Sequence, residues 1–462
     1  MAKRKQQTED SNESNSAIPA IPGAEIFGSG TGVETTGRFI IIFKDGARDD
    51  ATIKSTLNSV AGLKNITAST DYKDGAISAE DLADGKVLHF NNLGIAVVAE
   101  EDAVQSLAAS VSDVNSPILS IEPEYLAYHS QTTMTGQPLE YIRGYHDGVN
   151  DLYKRLVGEG AVSEAQAQLS AAFQDTPQFT WGLQATKVST SKFSGRGVKI
   201  AVLDTGLDLN HPDFLGRSIT SQSFVANIPT AQDIHGHGTH CIGTACGPKQ
   251  PATGVRRYGI AFESQIFAGK VFNNAPKPSA ATGDVIAGIE WAVSNGCRIV
   301  SLSLGVKINQ KIDQYEEPIR RALNLGTLVV AAAGNNAVRP VNPGFVEPPA
   351  NADAAMAVAA LDNQLRIAGF SARSSSVTGV GGIVNIAAPG VAVFSSVPVA
   401  QGRHNSFEGT SMATPHVAGI AALWAEATGE SGTALWNRLQ QSVLPLNIPS
   451  LDVGAGFVQA PQ

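Results

Sequence analysis

Cysteine is scarce in this chain: Cys241, Cys246 and Cys297 are the only three in 462 residues. So small and odd a number builds no disulfide framework, and free thiols are the expected state. That fits a reducing compartment without requiring one. Basic side chains are in deficit as well, 33 against 42 acidic ones, for a formal net charge of -9. Nucleic acid is thereby excluded as the main partner, because phosphate binding needs a basic surface. No apolar run reaches the roughly 18–20 residues that span a bilayer, so no membrane partner is expected. The start, MAKRKQQTEDSNESNS, is basic but has no apolar segment behind it. It does not read as a secretory signal, and the location it suggests is cytoplasmic or non-classically secreted.

Glycine, by contrast, is plentiful at 46 residues, while charged residues make up only 16%. Together these suit a loop-rich α/β enzyme with a large dry core, and the length allows two or three domains. Residues 1–37 are polar and without periodicity, and are expected to form a disordered tail. Residues 38–128 read as a compact unit. RFIIIFKD (38–45) has the pattern of a strand, DATIKSTLNSVAGL (50–63) of a helix, and KVLHF (86–90) with GIAVVAE (94–100) of a strand pair. EDAVQSLAASVS (101–112) is helical and PILSIEPEYLAY (117–128) a strand. The order β-α-β-β-α-β is that of a ferredoxin-like α+β unit. Residues 129–180 read as a linker carrying a charged, helix-like piece. From residue 181 onward continuous apolar strands such as KIAVLD, RIVSLSLG and GTLVVAAAGN alternate with helices such as DVIAGIEWAVSNG. This is the pattern of a mainly parallel sheet covered on both faces. Such sheets gather their catalytic groups at the carboxyl ends of the strands.

Four polar residues stand where that rule places them. Asp204 directly follows the apolar run IAVL, and Asn335 follows VVAAAG. His237 lies in the glycine-flanked stretch DIHGHGTHCIG, and Ser411 follows a Gly-Thr turn into the apolar run of GTSMATPHVAGIAALW. A serine at a helix N-terminus has backbone N–H groups and the positive dipole end beside it. Serine is a poor nucleophile unless a base takes its proton, and that base works best when a carboxylate orients its other nitrogen. Asp204, His237 and Ser411 supply these three parts. The Asn335 side chain and the Ser411 backbone N–H are the candidate donors to an oxyanion. Taken singly, an Asp after a strand is often a turn former and a Ser at a helix start a cap. His235, His237 and His240 lack the helical spacing with an intervening glutamate of a zinc site such as H-E-x-x-H.

VLDTG, HGTHCIG, AAAGN and GTSMATPHVAG, in that order, resemble the four signature segments of the subtilisin-like serine proteases, the subtilases. The resemblance implies a catalytic domain over 181–462 and hydrolysis of peptide bonds in protein and peptide substrates through an acyl-enzyme. It implies that Ser303, Leu304 and Gly305 in SLSLG pair with substrate and line one wall of the S1 pocket. Ser279 and Ala280 fall near the edge that pairs with the residues upstream. Residues 38–128 resemble the inhibitory N-terminal prodomain of the family. That implies an autoprocessed zymogen with its own prodomain as intramolecular inhibitor. EPEYLAY (122–128) matches the tail that occupies the active site, so cleavage is expected after Tyr128. The segment of roughly 45–50 residues before WGLQ departs from the family pattern, which leaves processing elsewhere in 129–180, or none, as alternatives.

Aligned from Asn335, VEPPA (346–350) falls at the far wall of S1, where Glu347 would favour a basic P1 side chain by charge pairing. A Tyr128 cleavage site points instead to an aromatic one. Asp213 in HPDF matches a carboxylate of a strong structural calcium site, but the loop GPKQPATGVRRYG (247–259) lacks the usual asparagine-containing pattern. No catalytic cofactor is implied, and a monomer is expected. The alternatives are a processing peptidase or peptide cyclase on the same triad, and a prodomain-locked binding protein without activity.

Overall fold

A short strand that is apolar at every position has to be buried on both faces. The run IIIF of residues 40–43 meets this condition: all four side chains are fully buried. Alternation along a strand divides them between two sides. In the computed structural model, which describes residues 33–72, 74–82, 87–129, 172–375 and 382–462, they belong to β1 (Thr35–Phe43). Then follow α1 (Asp50–Ala61), β2 (Ile66–Ala68), β3 (Val87–Phe90), β4 (Ile95–Val98), α2 (Glu101–Val111) and β5 (Ile118–His129). β1 lies between β4 and β5, antiparallel to both, and β3 and β2 continue the sheet beyond β4. The short β2 is an addition to the order read from the sequence. Strand β1 begins inside the stretch expected to be tail. The rest of that tail, residues 1–32, and the helix-like piece of the linker lie outside the described residues.

The second layer starts at α3 (Trp181–Ala185) and continues through β6 (Lys199–Asp204), β7 (Ile219–Ser223), α4 (His237–Cys246), β8 (Gln265–Lys270), β9 (Ser279–Ala281) and α5 (Thr282–Ser294). It runs on through β10 (Ile299–Leu302), β11 (Leu304–Gly305), α6 (Asp313–Asn324), β12 (Leu328–Ala332), β13 (Ala355–Leu361) and β14 (Ile386–Pro389). β15 (Val393–Ser396), β16 (His404–Phe407), α7 (Thr410–Thr428), α8 (Gly432–Gln441) and α9 (Ser450–Val453) complete it. Seven strands form one sheet in the order β14-β13-β12-β10-β6-β8-β7, and every pairing is parallel.

Alternation sorts this sheet's side chains into two cores. Ile200, Val202, Ile299, Leu328 and Val330 face a cluster built with Cys241 and Ile242 of α4 and Met412 to Leu423 of α7. Ala201, Leu203, Val300, Val329 and Ala331 face the other, with Ile286, Ile289 and Trp291 of α5 and Tyr315 and Ile319 of α6. Ile40, Ile42, Leu88, Phe90, Ile95 and Val97 of the N-terminal sheet join this second cluster. One face of that sheet is therefore closed by α5 and α6, which explains why β1 reads as unbroken apolar sequence. Among the described residues no helix is long and apolar enough to cross a membrane.

Candidate active site

The carboxyl ends of β6, β10 and β12 open on one side of the parallel sheet, and the helices α4 and α7 begin there. Asp204 is the last residue of β6 and is fully buried. His237 is the first residue of α4 and Ser411 the second of α7. His237 Nδ1 lies 2.8 Å from Asp204 Oδ1 and 3.0 Å from Oδ2. A close backbone approach makes this pairing possible. A Cβ on Gly238 would stand 2.3 Å from the Gly206 carbonyl oxygen and 3.0 Å from the Thr205 nitrogen, so only glycine lets α4 settle onto the turn after Asp204.

Burial by itself would push the His237 ring towards neutrality and the Asp204 carboxyl upward. Their mutual attraction overrides both effects. The Asp204 carboxylate holds His237 well above its ordinary 6.5, and His237 holds Asp204 below the usual carboxylate value. Nε2 of His237 has no hydrogen-bond partner among the described residues. Ser411 Oγ donates to the Ser303 carbonyl at 3.2 Å, and Ser303 Oγ donates to the Ser411 carbonyl at 2.9 Å. Across the cleft, Asn335 Oδ1 accepts from the Thr410 N–H and hydroxyl, both at 2.9 Å. With its oxygen fixed, the amide nitrogen of Asn335 is turned the other way.

The other histidines of the cluster have different surroundings. His240 is buried, bonds through Nε2 to the Val393 carbonyl at 2.9 Å and stacks on Phe407 at 4.5 Å. Burial pushes it down to about 3. His235 stands in the loop before α4. Cys241 lies with its sulfur 3.9 Å from His237 Nδ1 and 3.5 Å from the Ser411 carbonyl, and burial pushes its thiol up.

Sequence reasoning missed Asp233. Its Oδ1 accepts from the Thr205 hydroxyl (2.9 Å) and from the N–H groups of His235 (2.8 Å) and Gly236 (2.9 Å). Its Oδ2 accepts from the Thr239 N–H (2.9 Å) and hydroxyl (2.7 Å). One carboxylate thus fixes the loop that presents His237 and ties it to the turn after Asp204. An Asp placed before a glycine-flanked helix start was the available signal.

The end of β5 crosses this cleft as the middle strand of three. Leu126, Ala127 and Tyr128 pair antiparallel with Ala281, Ala280 and Ser279 of β9. On the other side Tyr128 pairs with Gly305, and His129 with Leu304, of β11. The His129 ring stacks on His237 at 4.8 Å with the planes 21° apart.

A family model described as the subtilase family matches residues 195–447. The chain belongs to the subtilase family. It is 38% identical to "Thermitase" of Thermoactinomyces vulgaris over 232 residues, 50% of this chain and 76% of that one. To "Subtilisin Savinase" of Lederbergia lenta it is 37% identical over 284 residues, 61% of this chain and 96% of that one. The solved structure of "Sphericase" superimposes with a TM-score of 0.53 at 32% identity, covering 61% of this chain and 98% of that one. This subtilase is accordingly a serine endopeptidase, with the α/β fold of that family.

Two expectations meet this geometry. Tyr128 pairs with Ser279 and Gly305 in the strand that crosses the cleft. Its ring lies beside the ammonium groups of Lys277 (4.9 Å) and Lys307 (5.9 Å), and its hydroxyl bonds to Glu34. The chain runs on past it to lay His129 over His237. Asp213 is the other. Its Oδ1 accepts from the Ala252 N–H (2.7 Å), and its Oδ2 is bonded by the Tyr258 hydroxyl (2.6 Å) and His404 Nε2 (2.8 Å). Calcium requires a cage of six to eight oxygens. Asp213 instead has three hydrogen-bond donors around it, and these hold its carboxyl below the ordinary value against the opposing effect of burial. The tyrosine and the amide come from the loop 247–259, which lacks the asparagine-containing pattern. In this subtilase the carboxylate anchors that loop directly, and the surroundings do not fit a calcium ion at Asp213.

Proposed function

We propose that this subtilase cleaves proteins by an Asp204–His237–Ser411 triad and is made as a zymogen. Ser411 Oγ attacks the peptide carbonyl while His237 Nε2 takes its proton and then passes it to the leaving amine. Asp204, held at 2.8 Å from Nδ1, keeps that nitrogen protonated and stabilises the imidazolium. The tetrahedral oxyanion receives hydrogen bonds from the Asn335 amide and the Ser411 backbone N–H at the start of α7. Water then hydrolyses the acyl-enzyme. Ser411 Oγ has only to turn from the Ser303 carbonyl towards His237, an adjustment common in sites without a reacting substrate.

The observation that carries this reading is the Asp204–His237 pair placed beside Ser411 at the ends of parallel strands, with Asn335 oriented by Thr410. The seating of β5 between β9 and β11 supports the second half of the proposal. Residues 38–128 act as an inhibitory prodomain, and their tail lies across the cleft as a peptide substrate would. The register supports processing beyond His129. A fluorophosphonate probe tests the catalytic half, since it forms an Oγ–P bond with loss of fluoride only at an activated serine. Labelling of the processed wild type, and none of Ser411→Ala, is expected. A full-length chain that never labels would instead mark a prodomain-locked binding protein.

A further inference from the structure

The cleft has a slot whose closed end carries a charge. One wall is β11 with Ser303 before it, and the other is the segment Ala333–Asn335 that leaves β12. Two backbone hydrogen bonds join the segment at 347–348 to both walls, Glu347 N–H to the Ala333 carbonyl (3.1 Å) and Val306 N–H to the Pro348 carbonyl (2.8 Å). The Glu347 side chain fills the space between them. A Cβ on Gly305 would stand 2.5 Å from its Oε2, and one on Gly334 would stand 3.2 Å from its Cδ. Both walls are glycine where the carboxyl lies; a side chain at Gly305 would collide with it, and one at Gly334 would crowd it.

Glu347 is only 6% exposed. Its Oε1 accepts from the Asn336 amide at 2.8 Å. Asn336 is itself locked, donating to the Phe345 carbonyl and accepting from the Phe345 N–H, both at 2.8 Å. Oε2 receives no hydrogen bond from a described residue. Lys307, just beyond β11, is the charged group whose field reaches the carboxyl. The other groups packed against it (Gly305, Gly334, Asn336 and Pro348) are neutral. A substrate strand in the place of β5 would continue past the His129 position, and alternation sends its next side chain to the face opposite His237. That side chain is P1, and the slot is where it goes.

We propose that Glu347 is a specificity-determining residue: ionised, it selects lysine or arginine at P1, and protonated, it accepts an uncharged side chain instead. The inference rests on the reading of this cleft as a peptidase site. A basic side chain of matching length brings its cation to the oxygen that no described donor satisfies, whereas an apolar one leaves a buried carboxylate without a countercharge. Burial pushes the carboxyl up to about 7, against the opposing effects of Asn336 and Lys307. The change of preference therefore falls near neutral pH.

The test uses two fluorogenic peptides that differ only in lysine or leucine at P1, with kcat/KM measured from pH 5.5 to 9 on the processed enzyme. Titration of His237 affects both peptides alike and cancels in the ratio. The lysine stays charged throughout. The lysine-to-leucine ratio is expected to rise up to about a hundredfold between one pH unit below and one above the carboxyl's midpoint, because the lysine rate follows the ionised fraction and the leucine rate the protonated one. In Glu347→Gln the ratio is expected to be lower and flat. A flat ratio in the wild type, with leucine peptide still cleaved, overturns the role of Glu347 alone. So does a rise that survives in Glu347→Gln. No turnover of either peptide, together with no Ser411-dependent labelling, overturns the peptidase reading as well.

Discussion

At the scale of single residues, orientation matters more than identity. In the proposed mechanism Asn335 can serve as an oxyanion donor because Thr410 claims its oxygen through two hydrogen bonds of 2.9 Å. Replacing Asn335 by Ala removes the side-chain donor and leaves the Ser411 N–H in place. We expect kcat to fall by about 10²–10³ with KM little changed, which is the loss subtilisin itself shows for this donor. Steady-state kinetics on one peptide checks it, and a tenfold rise in KM at constant kcat would reassign Asn335 to ground-state binding. Asp204 and Asn335 were legible in the sequence because each ends a continuous apolar strand. His237 and Ser411 were legible through the glycines that flank them. Asp233 left only the weak signal of an Asp before a glycine-flanked helix start, and Thr410 left none, because its bonds reach Asn335, which the fold alone brings near. Asp213 was misread for the same reason: His404 lies 191 positions away.

At the scale of elements, the N-terminal sheet holds the second layer by its helix starts. Glu122 accepts from the N–H groups of Asp313 and Gln314 at the start of α6, both at 3.0 Å. Glu124 accepts from the Gly283 N–H at the start of α5 at 2.7 Å. Each carboxylate meets donors that the helix cannot satisfy internally. Arg38 joins Glu124 (2.5 and 2.9 Å) and approaches Asp284 at 3.6 Å, so one cation serves two buried carboxyls. Burial pushes Asp284 up to about 8, with Arg38 pulling against it and Glu124 adding to the rise. Separation of the sheet would expose Asp284 to water and return it to the ordinary range. The bound form therefore holds a proton that the separated form loses. The grip is strongest in acid, weakens as pH rises, and levels off above about 8. His129, pushed down to about 4 by burial against His237, opposes this only below the ordinary histidine range. Size-exclusion chromatography of the processed enzyme is expected to show more of the N-terminal unit retained at pH 6.5 than at pH 8.5. Asp284→Asn should abolish the difference, and equal retention in the wild type would refute this linkage.

At the scale of the whole molecule, two sheets share one hydrophobic cluster through α5 and α6. The parallel sheet could be read from alternating strands and helices, because a strand buried on both faces has its own composition. The N-terminal strands were legible as well, but the cover over their second face was not, since it comes from helices more than 150 residues away. The register of β5 on β9 and β11 was equally hidden. A strand's composition does not say which partner residue it meets, and a change of register moves every residue of β5 along the cleft.

In the proposed zymogen, Ser411 cuts this chain after the strand that crosses its own active site. Intact-mass analysis with N-terminal sequencing of the wild type and of Ser411→Ala, purified alike, tests it most directly. The wild type is expected to separate into two pieces with the new N-terminus downstream of His129, while Ser411→Ala stays at full length. A wild type that remains whole, or a Ser411→Ala chain cut at the same bond, would contradict it.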